Sequence, residues 1–134
     1  MNEQTFKVAQ ISDLHVDIQT RPGSYPFTRH SKNHLHRIER LLSEYPYDLL
    51  VVSGDLTDWG DKKSLEFVRN WLFGKVEIDG QRFGLEADPK KCVVVPGNHD
   101  AYDAQSVVGS IFDRYQKSVE NFSLTFPEYS RACT

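Results

Sequence analysis

Carboxylates and imidazoles gather in three short blocks of this sequence: Ser12-Asp13-Leu14-His15, Ser53-Gly54-Asp55-Leu56-Thr57-Asp58 and Pro96-Gly97-Asn98-His99-Asp100. A fold that joins the blocks brings Asp13, Asp55, Asp58 and Asp100 together, with Asp17, Asp61 and Asp103 a turn or loop further away. Converging carboxylates repel one another and are costly to strip of water; divalent cations are the simplest remedy. His15, His99 and the amide oxygen of Asn98 add donors that suit first-row metals, and no thiolate lies near them. At ~5% usage per residue type, Asp-x-His arises by chance in about one chain in three of this length. Gly-Asp-x-x-Asp arises in about one in sixty and Gly-Asn-His-Asp in about one in a thousand, so the three in order mark a site. Ordinary turn chemistry explains Asp, Asn and Gly in such places, but it does not require His15 and His99.

Each block follows a short apolar run: Phe6 to Ile11, Leu49 to Val52, and Cys92 to Val95. The runs are rich in β-branched residues, and the last two lack alternation, as expected of strands buried on both faces of a parallel sheet. Helical patterns lie between them. From Ser31 to Tyr45, Leu35, Ile38, Leu41, Leu42 and Tyr45 recur at three- and four-residue steps, and Pro46 closes the helix. A second helix runs from Lys62 to Phe73 on Leu65, Val68, Trp71 and Leu72, with Gly74 as its stop. A third, from Ala104 to Phe122, aligns Val108, Ile111, Phe112, Tyr115, Val119 and Phe122. Alternating strands and helices imply an α/β domain, mainly a parallel sheet flanked by helices with right-handed crossovers. Ligands of such sheets bind beyond the carboxyl ends of the strands, which is where all three blocks fall. Asp79-Gly80 marks a surface hairpin over residues 76–83, residues 19–30 read as an irregular loop, and residues 123–134 as a tail without usable periodicity.

The whole chain, residues 1–134, reads as one domain. Hydrophobic residues at 39% and aromatic residues at 12% exclude a disordered chain, and a net charge of -3 argues against general nucleic-acid binding. No apolar run is long enough for a membrane span, and Met1 to Thr5 do not resemble a secretory leader. Two cysteines make no disulfide framework; Cys92 reads as a small core residue and the setting as cytoplasmic.

Asp13-x-His15, Gly54-Asp55-x-x-Asp58 and Gly97-Asn98-His99-Asp100 resemble the first three signature blocks of the calcineurin-like metallophosphoesterases. The wording around them is nearest to the bacterial branch with cyclic-nucleotide phosphodiesterase-like members, and the likeness covers residue 6 to about residue 103. It implies the first half of an α/β/β/α sandwich and two divalent metal ions (Mn, Fe or Zn). Asp13 and His15 would hold the first ion, Asp55 would bridge both, and Asn98 would bind the second through its carbonyl oxygen. His99 would stabilise phosphoryl oxygens or protonate the leaving group, with Asp100 orienting its ring, while Asp58 would steady the loop or a metal-bound water. The implied reaction is hydrolysis of a small phosphate ester, a phosphodiester or phosphomonoester, with nucleotides among the candidates. The family pattern continues into later histidine blocks that this sequence does not contain. The expectation is therefore an amino-terminal half whose sheet leaves apolar surface uncovered, completed by a carboxyl-terminal half or a homo-oligomer. A non-catalytic interaction module on the same fold is the alternative.

Other residues carry plainer expectations. His30, His34 and His36 read as a solvated helix start, Arg21 and Arg29 as surface residues, and Trp59 as packing against a neighbouring loop. Trp71 and Phe112 sit on apolar stripes and belong in the core.

Overall fold

A computed structural model describes residues 4–18, 29–78, 80–101 and 111–130. The three apolar runs become β1 (Val8–Ile11), β2 (Leu49–Ser53) and β5 (Cys92–Val95), with helix α1 (Arg29–Glu44) between the first two. All three strands are parallel in the order β1-β2-β5, with Val8 opposite Leu49 and Leu50 opposite Cys92. Between β2 and β5 come α2 (Lys62–Phe73), the antiparallel hairpin of β3 (Val76–Ile78) and β4 (Gln81–Phe83), and one 3₁₀ turn (Pro89–Lys91). Beyond β5 lie α3 (Asn98–Ala101), α4 (Ile111–Thr125) and α5 (Pro127–Ser130).

The second helix follows its sequence signals at both ends. Asp61 caps it by accepting the Ser64 backbone N–H at 2.9 Å, and the Gly74 N–H donates to the Asn70 carbonyl at 2.9 Å. Its stripe of Leu65, Val68, Trp71 and Leu72 is fully buried, and the Trp71 indole N–H donates to Glu39 of α1 at 2.8 Å. The hairpin forms where it was predicted, although Asp79 lies outside the described residues. Cys92 is a core residue as expected, its thiol pushed up to about 11 by burial. Among the described residues no helix is long and apolar enough to cross a membrane.

Three expectations need correction. The apolar runs of β2 and β5 imply burial on both faces, yet among the described residues only one face is covered. Leu50, Val52, Cys92 and Val94 pack with Leu35, α2, Phe122 and Phe126, while Val93 and Val95 on the other face stay 41% and 43% exposed. A continuous apolar run shows that both faces are suited to burial; whether a layer lies on each depends on tertiary packing. Leu41 of α1 and Tyr45 just beyond its end belong to the predicted stripe but remain exposed beside an open groove of about 400 Å³ along β1. The region from residue 123, read from sequence as a tail without usable periodicity, is helical up to Ser130 apart from a break at Phe126. Phe126 is fully buried there, 5.2 Å from the Phe122 ring, with the Arg69 guanidinium 5.5 Å from its centroid and ion-paired to Glu128 at 2.7 Å. Phe122, Phe126 and Tyr129 recur at helical steps, but Pro127 interrupts the pattern, ending α4 and opening α5. Residues 102–110 and the side chains of Ile111, Phe112 and Tyr115 lie outside the described residues.

One-sided burial has a measurable signature. Leu50→Ala should lower unfolding free energy by about 2–5 kcal/mol, because it opens a cavity in the covered face. Val93→Ala should cost less than about 1 kcal/mol. Urea denaturation of both variants checks the contrast.

Candidate metal centre

The three blocks meet because the chain continues to pair after the strands end. Beyond β1 and β2 the Asp13, His15 and Val16 N–H groups donate to the carbonyls of Gly54, Asp55 and Leu56 at 3.1, 3.1 and 3.0 Å, and the Asp58 N–H returns to the Val16 carbonyl at 3.2 Å. The third block closes on the second through glycine. Gly54 has φ +97°, and a β-carbon on it would lie 2.9 Å from the Gly97 Cα; one on Gly97 would overlap the backbone nitrogen and Oδ1 of Asp55.

Asp100 fastens this arrangement. It is fully buried: Oδ1 accepts the Thr57 N–H at 2.8 Å and the Thr57 hydroxyl at 2.9 Å, and Oδ2 accepts the Leu56 N–H at 3.0 Å and the Gly97 N–H at 2.9 Å. Burial pushes its carboxyl above the ordinary carboxylate value, and the four donors pull the other way. Its expected contact with the His99 ring is replaced by these bonds, because the loop amides, once buried, need an acceptor. The His99 Nδ1 instead lies 3.1 Å from the backbone carbonyl of Asp58.

One ligand atom each from Asp13, His15 and Asp55 fall within 4.8 Å of one another, with His15 Nε2 3.8 Å from Asp13 Oδ1. These two oxygen donors and one imidazole suit a first-row divalent ion, and the Asp13 side chain is 66% exposed, so an ion has access. The backbone marks the same three residues. Asp13, His15 and Asp55 have φ of 57°, 46° and 49°, in the left-handed region; Glu86 is the other non-glycine residue found there among the described residues. Each such residue costs on the order of 1 kcal/mol or more and persists only when its surroundings enforce it.

A second group, His15, Asp58 and His99, shares the histidine. His15 Nδ1 is 2.9 Å from Asp58 Oδ1, and the two imidazoles meet edge to face at 4.8 Å. The His99 N–H donates to Asp55 Oδ1 at 3.0 Å, which orients that carboxylate. Asn98 stands exposed at the start of α3, one residue before this amide.

The outlying acids have other tasks: Asp17 accepts the Trp59 indole N–H at 3.2 Å, and Asp61 caps α2. His36 packs on the Phe83 ring at 4.4 Å. His34 and Arg37 line a pocket of about 240 Å³ with Ser12, Asp13 and Leu14, a proximity that sequence spacing gave no way to foresee. Asp103, Arg21, Cys133 and the side chains of Arg29 and His30 lie outside the described residues. No sequence signal marked Asp58 as the residue touching both site histidines, since one of its contacts runs through the backbone.

Two substitutions test the fastening. Asp100→Asn replaces an acceptor oxygen by a donor facing buried N–H groups and should cost about 2 kcal/mol of stability. Gly97→Ala should cost about 1–3 kcal/mol by overpacking against Asp55. Thermal and urea unfolding of the metal-free proteins checks both.

Comparison with known proteins agrees with the geometry. A search of curated proteins and one of solved structures find no match to the chain. The family model described as calcineurin-like phosphoesterase matches residues 6–133, from the start of β1 to beyond α5. With nearly its whole length matched and the three acidic blocks joined at one end of the sheet, the chain belongs to the calcineurin-like phosphoesterase family.

Proposed function

We propose that the chain uses this centre to hydrolyse a phosphate ester with two divalent metal ions. The observation that supports it most is the left-handed backbone of Asp13, His15 and Asp55, strain placed on the residues whose ligand atoms converge. In this reading Asp13 and His15 would hold one ion, Asn98 would hold the second through its amide oxygen, and Asp55 would serve both. When bound, such ions would supply Lewis-acid charge for the phosphoryl group and lower the pKa of a water.

The remaining chemistry falls to side chains of the chain itself. A carbonyl accepts the His99 Nδ1–H, so Nε2 is the nitrogen left to act. In the protonated ring it donates a hydrogen bond to a phosphoryl oxygen or a proton to the leaving group. Asp100 acts on the reaction through the loop backbones rather than through the His99 ring.

Both phosphodiesters and phosphomonoesters fit the proposal, with nucleotides the first class to try. The nearness to cyclic-nucleotide enzymes rests on the wording of the three blocks alone. Manganese, iron and zinc all suit the donors. A cytoplasmic setting and a partner layer over the open sheet face, from a second copy or a carboxyl-terminal half, belong to the same proposal.

Hydrolysis of bis-p-nitrophenyl phosphate with added Mn²⁺ tests it. The native chain should turn over substrate, chelation should abolish turnover, and Asp55→Ala should reduce the rate at least about 100-fold. Equal rates for the native chain and Asp55→Ala would overturn the reading. Folded native protein that retains no metal after dialysis against Mn²⁺ would favour the non-catalytic module.

A further inference from the structure

Asp58 lies between the two site histidines and touches each with a different part of itself. Its Oδ1 is 2.9 Å from His15 Nδ1, and its backbone carbonyl is 3.1 Å from His99 Nδ1. Both Asp58 groups are acceptors, so in each neutral ring the proton must sit on Nδ1 and the lone pair on Nε2. For His15 this has a direct consequence, because Nε2 is the nitrogen that faces Asp13, at 3.8 Å from Oδ1.

We infer that Asp58 is a positioning residue: its carboxylate sets the tautomer and ring orientation of His15, so that Nε2 is presented to the cation shared with Asp13 and Asp55. Carboxylate, imidazole and metal in series also raise the basicity of the coordinating nitrogen. The competing possibility is that Asp58 is itself a ligand, since one of its oxygens groups with His15 and His99. The 2.9 Å spacing argues for positioning. A hydrogen bond of that length places a proton between Nδ1 and Oδ1, in the space an ion would need.

The carboxylate is itself well placed to be a fixed reference. The Asp58 N–H is anchored to the Val16 carbonyl at 3.2 Å, next to the Val16–Thr57 bridge, and the adjacent Thr57 is held by Asp100. Reorienting His15 would therefore require either loss of the Asp58 contact or displacement of a loop pinned on both sides. His99 supplies an internal control, because its partner is a carbonyl that no side-chain substitution at position 58 removes.

The metal half of this inference rests on the hydrolase proposal; the tautomer half does not. The test uses the full metal-free chain with ¹⁵N-labelled histidine, read by long-range ¹H–¹⁵N correlation at about pH 8.5, roughly two units above an ordinary imidazole value. His15 should carry its proton on Nδ1 in the native protein and shift toward Nε2–H in Asp58→Ala. Asp58→Asn, whose amide oxygen still accepts, should preserve the native tautomer. His99 should keep Nδ1–H in all three. Calorimetric titration with Mn²⁺ should show about 10- to 100-fold weaker binding for Asp58→Ala and a smaller loss for Asp58→Asn. A native His15 protonated on Nε2, or an unchanged tautomer in Asp58→Ala, would overturn the inference. So would equal loss of Mn²⁺ binding in Asp58→Asn and Asp58→Ala, which is the behaviour of a direct ligand. If the native chain binds no Mn²⁺ while the tautomers behave as stated, the hydrolase proposal fails and the positioning of His15 stands.

Discussion

A buried carboxylate with four donors is the constraint on which the site depends. Past the strand ends the backbone of Leu56 and Thr57 is buried and that of Gly97 half-buried, and their N–H groups have no strand to pair with. Such groups are costly to bury unsatisfied, and Asp100 answers three of them at once. The third block is thereby tied to the second with no reliance on long, mobile side chains. The spacing between Asp55 and His99 follows from this tie, and the bond from the His99 N–H to Asp55 Oδ1 is its visible result.

With the loops fixed, backbone strain becomes sustainable. Asp13 and His15 keep their left-handed conformation because their own N–H groups are bonded to the Gly54 and Asp55 carbonyls. Asp55 keeps its conformation between two glycines, Gly54 before it in the chain and Gly97 packed against it. None of this strain is needed to build the sheet. It turns side chains that would otherwise alternate along extended chain toward a common point.

Much of the fold was legible because its signals are local. Periodicity located α2 from Lys62 to Phe73, the β-branched runs located β1, β2 and β5, and a two-residue turn located the hairpin. The grouping of Asp13, His15 and Asp55 followed from a topological rule for parallel sheets rather than from any contact visible in the chain. What was not legible depends on partners distant in sequence. Asp100 looks like a histidine's neighbour because it is next to His99, yet its carboxylate turns toward residues more than 40 positions earlier. Val93 and Val94 read alike, and only the placement of the helices separates an open face from a covered one. Phe126 was hidden by the proline that follows it.

The strand that leads to Asp13 and His15 is also the one least secured by the sheet. Among the described residues β1 is an edge strand bonded to β2 alone, with Val8 mostly open to solvent. Edge strands fray before central ones, and any ligand that favours the ordered form suppresses the fraying in proportion to its free concentration. Amide exchange along β1 therefore becomes a gauge of how full the neighbouring site is: the molecule would wear its occupancy as stiffness at one margin.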